Sequence, residues 1–130
     1  MAYILDSKVR EEFDSVLIIL FDENDNYVMC RNKNRSWEFP GGKREADETI
    51  TEVAIRESLE ETGWSIKDIV EIGSYILADG HVTNIVKART AEYIEKLENE
   101  IVQVEVFAEL PSDLSFQDGI YQQILAGIYE

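Results

Sequence analysis

A helix with a clear beginning and a clear end lies in the middle of the chain and constrains its fold more than any other feature. Thr49 followed three residues later by Glu52 is a capping-box pattern, which is typical of a helix N-terminus. Gly63 supplies the glycine that commonly ends a helix. The pattern therefore predicts a helix over residues 49–61, preceded by a polar loop that opens at Gly41 and Gly42.

Apolar runs on both sides of this helix predict β-strands, and Asp79-Gly80 is a strong signal for a hairpin turn between two of them. The predicted strands cover residues 16–21, 27–31, 36–39, 69–78, 81–93 and 102–107. A last helix is expected to start at Ser115, with Asp118 three residues later. Its apolar face is Ile120, Tyr121, Ile124, Leu125 and Ile128. Strands mixed with two helices predict an α+β fold, layered as an α/β/α sandwich.

Length and charge narrow the class of protein. The chain has 130 residues, so we expect a single domain over residues 1–130. Its net charge of −15 disfavours binding to duplex nucleic acid and to anionic membranes. A charged N-terminal segment without the features of a signal peptide, and the absence of any apolar run of 18 residues, predict a cytoplasmic protein. Cys30 is the only cysteine, which excludes an internal disulfide.

Glu57, Glu60 and Glu61 are spaced so that their carboxylates lie near one face of the predicted helix. Like charges placed in this way repel each other and weaken the helix. A hard divalent cation such as Mg²⁺ or Mn²⁺ would reverse that effect, because carboxylate oxygens are its preferred ligands. The alternative is a solvated acidic helix, and the three glutamates alone favour that alternative.

The residues around these glutamates favour a metal site over a solvated acidic helix. The segment GKREADETITEVAIRESLEETGW resembles the signature of the Nudix hydrolase family. The matching positions are Gly42, Glu48, Arg56, Glu57, Glu60, Glu61, Gly63 and Trp64. Ser58 departs from the pattern, which has a bulky apolar residue there, and we expect its hydroxyl to bond back to a helix carbonyl.

The resemblance extends beyond this segment. Trp37-Glu38-Phe39-Pro40-Gly41-Gly42 resembles the strand that leads into the family signature, and Glu109-Leu110-Pro111 resembles a later segment of the family. The chain resembles the small MutT-type members, and residues 37–43 and 106–114 resemble the YtkD-like branch. The implied fold is the Nudix fold, a mixed β-sheet between helices, with the signature as a loop–helix–loop.

The resemblance implies an enzyme that uses Mg²⁺ or Mn²⁺ to hydrolyse a nucleoside diphosphate linked to another group. It implies that Glu57, Glu60, Glu61 and the carbonyl of Gly41 bind the metal, and that Glu57 orients or deprotonates the attacking water. Arg56 and Glu48 are implied to pair as structural supports. The family often recruits another acidic residue from a later loop, and Glu100 is the candidate here, with Glu98 next. A monomer or a homodimer would fit the family.

A cluster of basic residues flanks the expected metal site and could bind the phosphates of a small-molecule nucleotide. Its members are Arg31, Lys33, Arg35, Lys43 and Arg44. For any one of them, an ordinary charged loop is the alternative. Aromatic side chains could stack on the base, although such side chains more often belong to the core. The aromatic candidates are Trp37, Phe39, Tyr75 and Phe116.

The leading functional hypothesis is a nucleoside triphosphate pyrophosphohydrolase of the housecleaning type, which would convert a nucleotide such as 8-oxo-dGTP to the monophosphate and pyrophosphate. The alternatives are an RNA 5′ pyrophosphohydrolase and a hydrolase of ADP-ribose or of dinucleoside polyphosphates. A hypothesis from another class is a nucleotide-sensing module without catalysis. Such a module would be expected to lose the signature glutamates, which are present here.

Overall fold

The computed structural model describes residues 3–95 and 101–128. The described strands and helices are β1 (Tyr3–Asp6), β2 (Ser15–Phe21), β3 (Tyr27–Asn32), β4 (Trp37–Glu38), β5 (Gly41–Lys43), α1 (Ile50–Thr62), β6 (Trp64–Leu77), β7 (Val82–Tyr93), β8 (Ile101–Phe107) and α2 (Ile120–Ile128). Across these ranges, no helix is both long enough and apolar enough to span a membrane.

The strands form one mixed sheet around β2. The order is β1-β6-β7-β2-β3-β4, with β5 also paired to β2 and β8 also paired to β3. The pair β2–β7 is parallel, and the other pairs are antiparallel. Along one edge of β2, Ser15, Val16 and Leu17 pair with β5, whereas Phe21 pairs with Tyr27 of β3. The start of β2 therefore holds the glycine pair of β5 in place.

Alternate residues of β2 face opposite layers of the molecule, as the two-residue period of a strand requires. Leu17, Ile19 and Phe21 belong to a core cluster that includes α2. Val16, Ile18 and Leu20 belong to a second cluster that includes Val53 and Ala54 of α1. The helices therefore cover opposite faces of the sheet, and the predicted α/β/α sandwich is confirmed.

The predicted signals at both ends of α1 are confirmed. The Thr49 hydroxyl accepts from the Glu52 backbone N–H at 3.1 Å, and the Glu52 carboxylate accepts from the Thr49 N–H at 2.9 Å. Gly63 ends the helix with φ at +80°, and its N–H donates to the Leu59 carbonyl at 3.0 Å. A residue with a Cβ would be strained at this left-handed conformation. The ends of α1 thus fix where its acidic residues lie.

Two predicted element boundaries are wrong. The strand β6 begins at Trp64 rather than at residue 69, because bulges between residues 64 and 73 break the alternation that signals a strand. The helix α2 begins at Ile120 rather than at Ser115. Ser115 instead joins its segment to the β4 region, since its N–H donates to the Trp37 carbonyl and its hydroxyl accepts from the Ser36 N–H.

The expectation for Ser58 is also wrong. Its hydroxyl is buried and has no hydrogen-bond partner in the part of the chain that the structure describes. Thr62, one turn later, makes the type of bond that was expected of Ser58, since its hydroxyl donates to the Ser58 carbonyl at 2.6 Å. A small polar residue thus fills a core position at the cost of an unsatisfied hydroxyl.

Candidate active site

Two adjacent glycines bring β5 against both β2 and α1. A Cβ on Gly41 would lie 2.6 Å from the Val16 carbonyl oxygen. A Cβ on Gly42 would lie 2.5 Å from Glu57 Oε1, so the Glu57 carboxylate packs directly on the Gly42 backbone. The Gly41 N–H also donates to Glu61 Oε1 at 2.8 Å. The glycine pair therefore positions two carboxylates of α1 beside the β5 backbone.

Arg56 connects the acidic residues of this region. Its Nε and Nη2 each donate to the Glu48 carboxylate at 2.8 Å, in the two-bond geometry that suits a guanidinium group. Its Nη1 lies 2.7 Å from Glu57 Oε1 and 3.4 Å from Glu60 Oε2. Its Nη2 also donates to the Lys43 carbonyl at 2.9 Å. The structure thus brings Arg56 and Glu48 together, as the resemblance implied, and places Arg56 between Glu57 and Glu60.

The surroundings of Glu48 and Glu57 shift the pKa values of these two carboxylates in opposite directions. The hydrogen bonds from Arg56, followed by one from the Glu45 backbone N–H, lower the pKa of Glu48 to about 2. Burial raises the pKa of Glu57 above its ordinary value, and the nearby Arg56 opposes that rise. The hydrogen bond with Glu48 is the largest of the effects that raise the pKa of Arg56. Glu48 is therefore a fixed anion, whereas the buried charge of Glu57 would gain from a cation beside it.

The residues of this region fit a hard divalent cation by their chemistry. They offer carboxylate and backbone oxygens, and the Glu57 carboxylate occupies a space that a Cβ at position 42 would fill. In residues 3–95 and 101–128, no three acidic, histidine or cysteine side chains already converge as a metal-binding group. Glu98 and Glu100 lie outside the described residues.

A cavity of about 330 Å³ adjoins the glycine pair on the α2 side of the sheet. Gly41, Gly42 and Lys43 line one part of it. Its other lining residues include Arg35, Glu38, Tyr75, His81, Phe116 and Tyr121. Four larger cavities, of about 370 to 490 Å³, lie elsewhere on the described residues, and none of the four is lined by Gly41 or Gly42. The cavity next to Gly41 and Gly42 is therefore the candidate substrate site.

The structure separates the predicted basic residues into two groups. Arg35 and Lys43 line the cavity. Arg31 instead donates to Gln103 of β8 at 3.1 Å. Arg44 stacks over the Phe13 ring at 4.6 Å and donates to the Glu48 carbonyl. The geometry thus favours Arg35 and Lys43 as phosphate ligands over Arg31 and Arg44.

The aromatic candidates divide in the same way. Tyr75 and Phe116 line the cavity, and burial raises the pKa of the Tyr75 hydroxyl. Phe39 also lines the cavity, but it is only 3% exposed and its ring packs at 5.0 Å against Tyr121. Trp37 packs its ring at 4.9 Å against Phe107 and does not line the cavity. Tyr75 and Phe116 are therefore the rings that are placed to meet a bound base.

The family model of the NUDIX domain matches residues 12–118, a range that includes the glycine pair, α1 and the cavity residues. The chain belongs to the Nudix family. The Nudix signature, residues 42–64, therefore corresponds to the end of β5, the loop, α1 and the first residue of β6.

Two relatives of known name are similar in sequence. The Bacillus subtilis protein "Putative 8-oxo-dGTP diphosphatase YtkD" is 38% identical over 94 residues, which cover 68% of this chain and 59% of that protein. A second Bacillus subtilis protein, "Putative 8-oxo-dGTP diphosphatase", is 34% identical over 59 residues, 45% of this chain and 40% of its own length. The chain thus spans less than two-thirds of the length of either relative.

Solved structures support the same fold. The crystal structure of a mutant form of the Bacillus subtilis pyrophosphohydrolase BsRppH has a TM-score of 0.87 and 25% identity, covering 98% of this chain and 89% of that one. The NUDIX domain of Shewanella oneidensis NrtR, complexed with ADP ribose, has a TM-score of 0.69 and 17% identity, covering 93% and 90%. The second similarity concerns the fold alone.

Sequence reasoning missed several residues that line the cavity of this Nudix domain, among them Glu38 and His81. Glu38 lines the cavity, but a single carboxylate in a chain with 27 acidic residues carries no signal of its own. His81 also lines the cavity, and its Nε2 is 2.8 Å from the Ser15 hydroxyl. The contact between Ser15 and His81 depends on the parallel pairing of β2 with β7, which no local pattern reveals.

Proposed function

We propose that the chain is a metal-dependent pyrophosphohydrolase of nucleoside triphosphates, with 8-oxo-dGTP as the leading substrate and the nucleoside monophosphate and pyrophosphate as products. The observation that carries the proposal is the position of Gly41 and Gly42. On one side they hold Glu57 and Glu61, and on the other they line a cavity that contains two basic and several aromatic side chains.

Glu57, Glu60, Glu61 and the Gly41 carbonyl would hold Mg²⁺ or Mn²⁺. The bound metal would neutralise phosphate charge and lower the pKa of a water molecule. Glu57, whose carboxylate packs on the Gly42 backbone, would orient the attacking water and accept its proton. The water oxygen would bond to one phosphorus atom while the bond from that phosphorus to the bridging oxygen breaks, which releases the monophosphate and pyrophosphate.

The remaining residues bind the phosphates of the substrate or hold the loop before α1 in place. Arg35 and Lys43 contact phosphate oxygens from the cavity, where opposite charge lowers the barrier to phosphoryl transfer. Arg56 and Glu48 hold the loop against α1 and limit the movement of Glu57. Glu100, outside the described residues, remains the candidate for a further carboxylate from a later loop.

The 5′ end of an RNA is the second candidate substrate. The solved structure with a TM-score of 0.87 is of a protein named a pyrophosphohydrolase, and this name does not say which molecule carries the pyrophosphate. The net charge of −15 argues against extended contacts with RNA, although a 5′ terminus would touch little surface.

The test is product analysis on purified protein with Mg²⁺ or Mn²⁺. The substrates are normal and oxidised nucleoside triphosphates, ADP-ribose, a dinucleoside polyphosphate and 5′-triphosphorylated RNA. We expect monophosphate and pyrophosphate from a triphosphate, and no turnover with EDTA. Turnover of the RNA alone would support the second candidate, and no turnover of any substrate by folded protein would contradict the proposal.

Glu61→Gln tests the metal assignment at one residue. The glutamine carbonyl can still accept from the Gly41 N–H, so the contact survives while the charge is lost. We expect activity to fall by about two orders of magnitude or more with the fold intact. Glu71→Gln, at an exposed position on β6, is the matched control and should remain active. Full activity in Glu61→Gln would contradict the assignment.

A further inference from the structure

A row of polar residues crosses four neighbouring strands on the cavity side of the sheet. Lys43 of β5 and Thr83 of β7 both pair with Ser15 of β2. Tyr75 of β6 pairs with Thr83 in turn. Residues that pair directly across neighbouring strands point to the same face of a sheet, and all four of these residues line the candidate substrate cavity. The row therefore places one ammonium group and three hydroxyl groups along one wall of that cavity.

His81, which lies just before β7, adds an imidazole to this row. Its Nε2 is 2.8 Å from the Ser15 hydroxyl, and its backbone N–H donates to Asp79 Oδ1 at 2.9 Å. The other ring nitrogen, Nδ1, has no hydrogen-bond partner among residues 3–95 and 101–128. The side chain is only partly buried and lines the cavity. The imidazole thus has one anchored nitrogen and one nitrogen that is available to a ligand.

Lys43 and His81 lie together at one border of the cavity. Both residues also line a neighbouring depression of about 380 Å³, so they stand where the two spaces meet. Lys43 is exposed, and its ammonium group forms no ion pair within the described part of the chain, although the sequence has 27 acidic residues. An unpaired ammonium group beside an imidazole suits an anionic ligand.

The chemistry of the imidazole makes phosphate a suitable anion for this place. When the Ser15 hydroxyl donates to Nε2, a neutral ring carries its hydrogen on Nδ1, and a protonated ring carries hydrogens on both nitrogens. Both forms present a donor at Nδ1, and phosphate oxygens accept from charged and from neutral donors. Lys43 is two residues from Gly41, so a phosphate that it contacts lies near the proposed metal site.

We propose that His81 is a further phosphate-binding residue, held by the Ser15 hydroxyl, and that its Nδ1 donates a hydrogen bond to the substrate phosphate that Lys43 contacts. This inference rests on the proposed function, in which the cavity receives a nucleoside triphosphate. A histidine loses its positive charge as the pH rises from about 5 to about 8. The affinity for phosphate therefore falls over this range, and part of it remains because the neutral ring still donates.

Other charged and titratable groups face His81, and they are the same in every variant of this residue. The ratio of affinities between the unmodified protein and a His81 variant therefore isolates the imidazole, because these groups and the protonation of the ligand itself contribute to both. The groups are Asp14 before β2, Lys43, Arg44, Glu45 and Asp47 at and after β5, Tyr75 of β6, Asp79 of the turn, and Arg35, Glu38 and Tyr121 from the side of β4 and α2.

The test measures binding without hydrolysis, by calorimetry with MgCl₂ at pH 6 and at pH 8. One probe is the α,β-imido analogue of dGTP, in which an NH group replaces the bridging oxygen that hydrolysis would release. The other probe is inorganic tripolyphosphate, which has the phosphates but no nucleoside. No binding of either probe to the unmodified protein would overturn the inference.

The variant His81→Gln removes the donor at Nδ1, whereas its amide reaches the position of Nε2 and keeps the contact with Ser15. We expect both probes to bind about tenfold more weakly to this variant at pH 6, and about threefold more weakly at pH 8. Equal affinities in the two proteins, or an equal loss at both pH values, would overturn the inference. A loss for the nucleotide alone would overturn it as well, since His81 would then contact the nucleoside.

The variant His81→Asn places a neutral amide near the position of Nδ1. We expect it to bind both probes within about twofold of the unmodified protein at pH 8, and more weakly than that protein at pH 6, because the amide donates but carries no charge. If His81→Asn binds as weakly as His81→Gln at both pH values, the donor at Nδ1 is not what binds the phosphate.

Lys67→Gln is the control for charge. It removes a positive charge from an exposed position at the opposite end of β6 from Tyr75, and we expect it to change either affinity by less than about twofold. A loss as large as that of His81→Gln would show general attraction and overturn the inference.

Thermal unfolding of each variant shows whether its fold is intact. Failure of the proposed function would appear as no hydrolysis of dGTP with metal. Failure of the inference would appear as affinities that do not depend on His81, whether or not the protein hydrolyses dGTP.

Discussion

The Glu48–Arg56 pair shows how single residues stabilise the active-site loop. The side chains of Arg56 and Glu48 are only 21% and 17% exposed, and two parallel hydrogen bonds join them. Ion pairs of this geometry contribute more than exposed pairs, because solvent screens them less and the guanidinium fork fits a carboxylate. The loop that precedes α1 is therefore closed by a charge-assisted contact.

We predict that Glu48→Gln lowers the free energy of unfolding at pH 7 by about 1.5–3 kcal/mol, as expected for a hydrogen bond to a charged group. Folding lowers the pKa of Glu48 from 4.5 to about 2. The stabilisation from this charge is therefore complete above pH 4.5 and is lost as the pH falls towards 2. Urea unfolding of Glu48→Gln and of the unmodified protein at several pH values from 7 to 2 measures the difference.

The control for this prediction is Glu45→Gln. Glu45 is exposed and lies 3.6 Å from Arg56, so its loss should cost less than about 0.5 kcal/mol. A difference between Glu48→Gln and the unmodified protein that stays constant from pH 7 to pH 2 would contradict the assigned role of the charge.

At the scale of the elements, the capping box of α1 determines where the helix begins. Thr49 and Glu52 satisfy each other's backbone N–H groups. We predict that Thr49→Ala lowers the free energy of unfolding by about 1 kcal/mol. Chemical denaturation measures the change. Thr51→Ala, at an exposed position in the first turn of the same helix, is the matched control and should change stability by less than about 0.5 kcal/mol. Equal losses in the two variants would contradict the capping role.

Sequence reasoning succeeded for those elements whose signals are local. The limits of α1 follow from hydrogen bonds between residues three or four apart, and β2 follows from an uninterrupted apolar run. It failed for α2, because Ser115 bonds to residues that are far away in the sequence. It also failed for β6, where bulges hide the alternation.

The same distinction applies to the site. The spacing of the glutamates and glycines pointed to the residues that meet at β5. The sequence could not separate Arg35 from Arg31, because the difference lies in which strand and cavity each one faces. Likewise, Glu38 and Phe116 line one cavity because the segment before α2 packs against β4, a contact between distant parts of the chain.

At the scale of the whole molecule, the site lies where the layers meet. The carboxylates of α1 approach β5 from one layer, and the cavity adjoins the same glycines on the side of α2. The chain also carries a net charge of −15, which destabilises the compact state by repulsion between like charges. A cation bound by Glu57, Glu60 and Glu61 would relieve that repulsion locally and link α1 to β5. We therefore expect metal binding to stabilise the fold.

We predict that MgCl₂ raises the melting temperature by about 4 °C when its concentration is ten times the dissociation constant. Because KCl screens the net charge without binding to the carboxylates, KCl of equal ionic strength is the control and should raise the melting temperature less. Scanning calorimetry with each salt measures the difference, and Glu61→Gln should reduce it while leaving the response to KCl unchanged. Identical melting curves in the two salts would contradict a specific metal site, since the stabilisation would then come from screening alone.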